Sequence, residues 1–124
     1  MAAGIFNDFI IEKGATFAEV LEYTDGNGVG INLSSYTLRG KIKKRVADAT
    51  ALCSFTFTLA DQNTNPGRFT ISLTATQTAA LPWNQDVYGA QKDTLVYYDI
   101  EAVLGAQVDR LLQGSINLNP EVTT

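Results

Sequence analysis

The side chains that most often carry catalysis or bind metal ions are scarce in this chain of 124 residues. It contains no histidine and one cysteine, Cys53, so it has neither an imidazole base nor a zinc site of the usual Cys and His kind. Cys53 falls in phase with alternate apolar residues of the segment ALCSFTFTLA, which indicates a core thiol rather than a reactive one. We therefore expect a protein that is not an enzyme and that carries no cofactor or metal.

Two further features could in principle do chemistry. Asp99 and Glu101 are the best candidates for a pair of catalytic carboxylates, but their spacing places both on the outward face of a predicted strand. Carboxylates that pair with a basic neighbouring strand are the commoner arrangement there. The segment DGNGVG has a spacing similar to a calcium loop, but the twelfth position counted from Asp25 is Tyr36, where an EF-hand requires glutamate. Both features are predicted to be structural.

The strongest electrostatic feature is the segment RGKIKKR, which holds five of the nine lysines and arginines of a chain with net charge −4. On a strand, its alternate residues would form a basic stripe that could bind an acidic protein surface. The commoner arrangement, which we favour, is a solvated strand face that protects an edge and pairs with outward carboxylates. We expect no nucleic acid partner, because the chain is acidic and no aromatic residues interleave with the stripe. The stripe consists of Arg39, Lys41, Lys43 and Arg45.

Alternation of apolar and polar residues predicts strands along most of the chain. Short runs end at turn segments such as DGNGVG and DQNTNPG, and the runs TLVYYDIEAVLG and AQVDRLLQGSINL are predicted to form a hairpin. In the second run, alternation leaves Arg110 on an otherwise apolar face. Thr74 and Gln77 have the spacing of a capping box, and Pro82 forbids continuation of the helix that they begin. We predict an all-β fold, an antiparallel immunoglobulin-like β-sandwich of about seven strands with one short helical turn near 75–81.

The length predicts a single domain over residues 1–124. No basic leader and no apolar run long enough for a membrane helix are found, so we expect neither export nor a membrane partner. The N-terminal segment carries more apolar residues than a free terminus normally exposes. Residues 1–12 therefore form either the first strand or an arm that docks on a neighbouring subunit. The candidate protein interface comprises Ile5, Phe6, Phe9, Arg39, Lys41, Lys43 and Arg45.

Five motifs, spanning about Asn32 to Thr123, occur in an order that resembles small virion proteins of tailed bacteriophages: INLSSYTLRGKIKK, SFTF, GRFTISLTATQTAALPW, YYDIEAVLG and VDRLLQGSINLNPEVT. The chain is similar to the immunoglobulin-like N-terminal domain of phage baseplate upper proteins. The resemblance implies a non-enzymatic structural protein of the virion, made in the cytoplasm of the bacterial host. It also implies other phage structural proteins and further copies of the chain as partners.

A tail, baseplate or adaptor subunit is the leading interpretation of this resemblance. A capsid decoration protein on the phage head is its nearest alternative. A glycan-binding module for host recognition is the third, and it would need exposed aromatic side chains as platforms for sugar rings. The candidates for such platforms are Trp83, Tyr88 and Tyr97.

Overall fold

The structure, a computed structural model, is built mostly of β-strands. The described residues are 5–6, 8–45, 47, 50–81, 84–85, 91–92 and 94–119. Within them, in chain order, the elements are β1 (Ile5–Phe6), β2 (Phe9–Glu12), β3 (Phe17–Glu22), β4 (Thr37–Lys43), β5 (Cys53–Ser54), β6 (Thr56–Leu59), β7 (Arg68–Leu73), α1 (Ala75–Ala79), β8 (Asn84–Gln85), β9 (Gln91–Lys92), β10 (Thr94–Leu104) and β11 (Gln107–Asn119).

The strands form two main sheets. Sheet A has the order β1-β11-β10-β4-β5, and β2 also pairs with β11. Sheet B has the order β3-β7-β6 and is antiparallel throughout, while β8 and β9 pair with each other. The prediction of an antiparallel fold is wrong for one part of sheet A, because β1 and β2 run parallel to β11. The N-terminal segment enters beside the C-terminal strand in the same direction, which alternation alone cannot reveal.

The inward faces of both sheets contribute to one hydrophobic core. In β7, Phe69, Ile71 and Leu73 are buried, as their alternation predicts. Aromatic rings join the sheets, since the ring of Phe9 in β2 lies 5.7 Å from that of Phe17 in β3. Sheet A supplies Phe9, Ile11, Ile42, Val96, Tyr98, Ile100, Ala102, Ile116 and Leu118 to the buried set.

The segment ALCSFTFTLA does not form the single strand that its alternation predicts. It is divided between β5 in sheet A and β6 in sheet B. Phe55 lies at the crossing, where its N–H donates to the carbonyl of Gly40 and its ring is buried. Cys53 is half-buried, and this burial raises the pKa of its thiol. Leu59, at the far end of the segment on the edge strand β6, is 41% exposed.

The capping box that begins α1 is confirmed. The N–H of Gln77 donates to Oγ1 of Thr74 at 3.1 Å, and the N–H of Thr74 donates to Oε1 of Gln77 at 2.8 Å. The helix ends at Ala79, two residues earlier than the predicted turn, and Leu81 is buried just beyond it. Thr78 anchors the helix, because its hydroxyl accepts from the N–H of Gly14 at 3.1 Å and donates to nearby carbonyls.

Two predicted turns are also confirmed. In DGNGVG, Oδ1 of Asp25 accepts hydrogen bonds from the N–H groups of Asn27 and Val29, so this carboxylate shapes the loop. Between β10 and β11, Leu104 pairs with Gln107 across a loop of two residues. Gly105 begins this loop at a φ of 59°, a conformation that suits glycine.

Candidate interaction surface

The outer face of sheet A collects the charged residues of β4, β10 and β11. The pairing of the strands fixes which residues are neighbours, since directly opposed residues project to the same face. Arg39 of β4 lies opposite Glu101 of β10, which lies opposite Arg110 of β11. The next row contains Lys41, Asp99 and Gln113, and the row after it contains Lys43, Tyr97 and Ser115.

A β-bulge decides that Arg110 belongs to this face. The pairing of β10 with β11 shifts between Ile100 and Glu101, so that Ile100 faces Leu112 but Glu101 faces Arg110. One extra residue on β11 reverses the alternation of every residue between the bulge and the hairpin loop. The expectation that Arg110 lies on the apolar face is therefore wrong.

The tight loop held a signal that could have located Arg110. Because the loop contains two residues, counting back from Leu104 and forward from Gln107 pairs Glu101 with Arg110. Counting alternate residues backward from the apolar end of β11 instead assigns Arg110 to the opposite face. The two counts disagree by one residue, and that disagreement is the sequence signature of the bulge.

Glu101 lies at the centre of a small ion-pair network. Its Oε1 lies 2.8 Å from Nε of Arg39, and its Oε2 lies 3.6 Å from Nη2 of Arg110. Arg110 also approaches Oδ2 of Asp99 at 3.8 Å. The prediction that outward carboxylates pair with the basic stripe is confirmed for Glu101, which pairs with Arg39, whereas Asp99 pairs with Arg110 of β11 and not with a residue of the stripe. Both arginines of the network are thus already balanced by carboxylates of β10.

The two lysines of β4 differ from the arginines. Within the described ranges, neither Lys41 nor Lys43 forms an ion pair, although Asp99 is the β10 residue directly opposite Lys41. Lys41 is exposed and Lys43 is half-buried. The strand therefore presents two ammonium groups that the surrounding carboxylates do not pair with directly.

A groove of about 550 Å³ runs over this part of the sheet. Its volume lies within the range of about 300–1,000 Å³ that is common for ligand clefts. Residues of β4, β10 and β11 line it, together with Asp8 at the break between β1 and β2. Its charged and aromatic side chains are those of Asp8, Lys41, Lys43, Tyr97, Tyr98, Asp99 and Arg110.

The side chain of Asp8, between β1 and β2, contacts β11 at the edge of sheet A. Phe6 pairs with Gln113 and Phe9 pairs with Ile116, and Asp8, which belongs to neither β1 nor β2, lies beside Ser115. Oδ1 of Asp8 accepts hydrogen bonds from both the N–H and the hydroxyl of Ser115, at 3.2 and 3.0 Å. Burial and the negative charge of Asp8 also raise the pKa of Tyr98 above its ordinary value.

The structure separates the seven predicted interface residues into distinct groups. Ile5 and Phe6 form β1, whose backbone pairs with β11 of the same chain. Phe9 is 7% exposed and packs in the core, so it has little surface to offer a partner. The basic residues Arg39, Lys41 and Lys43 lie together on the outer face of β4, while Arg45 is exposed beyond the end of that strand.

Among the described residues, no group of three or more His, Cys, Asp or Glu side chains could hold a metal ion. No helix in the described ranges has the length and apolar character needed to cross a membrane. Comparison with protein-family models gave no match, and comparison with curated proteins gave no significant match.

Proposed function

We propose that this chain is a non-enzymatic structural component of a tailed bacteriophage virion, which acts as a tail, baseplate or adaptor subunit. It works through protein–protein contacts with other phage structural proteins and with further copies of itself. The observation that carries the proposal is the arrangement of the strands, because the motifs that resemble virion proteins lie on these strands.

The strand order supports an immunoglobulin-like sandwich as the fold of this subunit. In such a sandwich one sheet contains strands B, E and D, and the other contains strands C, F and G. If β3 is taken as strand B, then β7 and β6 correspond to strands E and D, and sheet B has the order B-E-D. In sheet A, β4, β10 and β11 then correspond to strands C, F and G. The short β5 lies beside β4 in the place of a C′ strand.

The motifs that resemble virion proteins coincide with these elements. GRFTISLTATQTAALP contains β7 and α1, YYDIEAVLG lies at β10 and the hairpin loop, and VDRLLQGSINL lies in β11. β7 and β10 belong to different sheets, and α1 follows the first of them. The resemblance therefore rests on the parts of the chain that build both sheets, which favours a shared scaffold over a coincidence between loops.

The location of the protein in phage particles tests this proposal. Purified virions of the phage whose genome encodes the chain are analysed by mass spectrometry after denaturation, and intact particles are labelled with immunogold using antibodies against the purified chain. Tryptic peptides of the chain in virions, with gold at the tail tip or neck, are expected. Gold over the head would instead establish the capsid decoration alternative. Absence of its peptides from purified virions would overturn both.

Glycan binding for host recognition is a second candidate function, which the position of Tyr97 favours. Tyr97 lines the groove beside polar side chains such as those of Gln113 and Ser115, an arrangement that suits a sugar ring and its hydroxyl groups. The other two predicted platforms, Trp83 and Tyr88, lie outside the described residues. A glycan array probed with the purified chain tests this function, and absence of binding at high protein concentration would exclude it.

A further inference from the structure

We propose that the groove on the outer face of sheet A binds an extended acidic segment of a neighbouring protein, in which two carboxylate residues are separated by one residue. This inference rests on the proposed function, because it assigns to a structural subunit the place and chemistry of one of its contacts.

The first step of the argument concerns charge. The outer-face residues discussed above carry four positive charges, on Arg39, Lys41, Lys43 and Arg110, and three negative charges, on Asp8, Asp99 and Glu101. The arginines pair with carboxylates of β10, and the carboxylate of Asp8 accepts two hydrogen bonds from Ser115. The hydrogen bonds leave the charge of Asp8 in place, so these residues sum to one positive charge, and Lys41 and Lys43, which are outside the ion pairs, supply that excess although the chain as a whole has a net charge of −4.

The second step concerns spacing. Lys41 and Lys43 are alternate residues of one strand, so their Cα atoms lie about 7 Å apart on the same face. An extended partner segment places its own alternate side chains on one face at the same spacing of about 7 Å. Two carboxylates separated by one residue thus match the two ammonium groups, whereas two adjacent carboxylates point to opposite sides of the segment.

The third step concerns the floor of the groove. Tyr97 lies directly opposite Lys43 on β10, with Ser115 on its other side. The aromatic ring offers apolar surface to a segment that crosses it, and Gln113 in the adjacent row offers an amide that can both donate and accept. Charges then set the orientation of the partner, and the ring and amide add contact area.

A titration with short peptides tests the proposal on the purified full chain labelled with ¹⁵N. The probe is the capped heptapeptide GSETESG, which has two glutamates separated by one residue. GSEETSG has the same composition with adjacent glutamates, and GSQTQSG lacks the charges. We expect amide shifts on β4, β10 and β11 with the first peptide, at least threefold weaker binding of the second, and none with the third. Added NaCl should weaken the binding.

Variants of the chain identify the groups that bind. Lys41→Gln and Lys43→Gln are each expected to weaken binding of GSETESG about threefold, as for an exposed ion pair. Arg68→Gln is the control, because it removes the same charge from the outer face of sheet B, where Arg68 lies 3.6 Å from Glu22. The control variant is expected to bind the peptide as the unmodified chain does.

Four results of the binding experiments would overturn the proposal. These are equal binding of the two acidic peptides, no binding at low millimolar concentration, equal weakening by Arg68→Gln, and shifts on this face that a uronic acid disaccharide produces but the peptides do not. Shifts that grow with protein concentration in the absence of peptide would also overturn it, since they would show that another copy covers the groove. None of these results depends on whether the chain is found in virions, so the failure of this inference and of the proposed function are distinguishable.

Discussion

The hydroxyl of Tyr23 donates a hydrogen bond of 3.3 Å to Oδ2 of Asp109, in a buried position between residues 86 positions apart in the chain. Asp109 is 4% exposed and also accepts from Nε2 of Gln107 at 2.9 Å. The bulge in β11 that brings Arg110 to the outer face brings Asp109 to the inner one. The same irregularity therefore creates both the ion-pair network outside and this polar contact inside.

Because of Tyr23, the free energy of unfolding is expected to depend on pH in the alkaline range. Its burial and the charge of Asp109 raise the pKa of Tyr23 from 10.0 to about 12. The unfolded chain releases this proton first, so the stability contributed by the neutral hydroxyl is complete below pH 10 and is lost as the pH rises toward 12. In this pH interval, we expect the free energy of unfolding to fall less for Tyr23→Phe than for the unmodified chain. Urea denaturation across the interval measures it, and an identical decline in both proteins would contradict the assignment.

Gln62 is predicted to hold the loop before β7 in place. Its Oε1 accepts from the N–H groups of Leu33 and Gly67, and its Nε2 donates to the carbonyls of Ala60 and Arg68. Gln62→Leu has a similar size but leaves these buried groups without partners, so we expect the free energy of unfolding to fall by about 2–4 kcal/mol.

Asn63→Ala is the control for Gln62, because Asn63 is the exposed neighbouring residue in the same loop. We expect its free energy of unfolding to stay within about 0.5 kcal/mol of that of the unmodified chain. Urea denaturation followed by tryptophan fluorescence measures both variants. Equal stability of the two would refute the role assigned to Gln62.

Thr78 is predicted to lock α1 against the turn between β2 and β3. Its buried hydroxyl accepts from the N–H of Gly14 and donates to the carbonyls of Ala15 and Ala75. Thr78→Val keeps the shape and removes these hydrogen bonds, which we expect to cost about 1–3 kcal/mol. Thr76→Val, on the exposed side of the same helix, is the matched control. Thermal melting of both variants checks the prediction, and a Tm that falls equally in both would count against it.

Gly40 lets Phe55 pack against β4. A Cβ at Gly40 would lie 2.9 Å from the carbonyl oxygen of Asp99 and 3.1 Å from the ring of Phe55. We expect Gly40→Ala to lower the stability by about 1–3 kcal/mol, because neither the backbone nor the ring can move without loss of packing. Gly26→Ala meets nothing within 4 Å and serves as the control. Urea denaturation compares the two, and a Gly40→Ala variant as stable as the control would show that the sheet adapts.

Local sequence patterns were sufficient to predict the elements that depend only on residues close to one another in the chain. The alternation of Phe69, Ile71 and Leu73 predicted β7, and Thr74 with Gln77 predicted the start of α1, because side chains within a few residues dictate these features. Alternation with buried residues also predicted that the carboxylates of β10 point outward, and Glu101 pairs with Arg39 of the basic stripe as expected.

Tertiary structure decided what depends on distant strands. The bulge in β11, the division of the segment around Phe55 between two sheets, and the parallel entry of β2 each reflect which strand lies beside which. Burial across the whole core selects such pairings, because a shift of one residue exchanges the two faces of a strand. The sequence alone therefore determined that the chain is rich in strands and carries a basic stripe. The tertiary structure decided that Lys41 and Lys43 of that stripe lie in a groove beside Tyr97, whereas its arginine Arg39 pairs with Glu101.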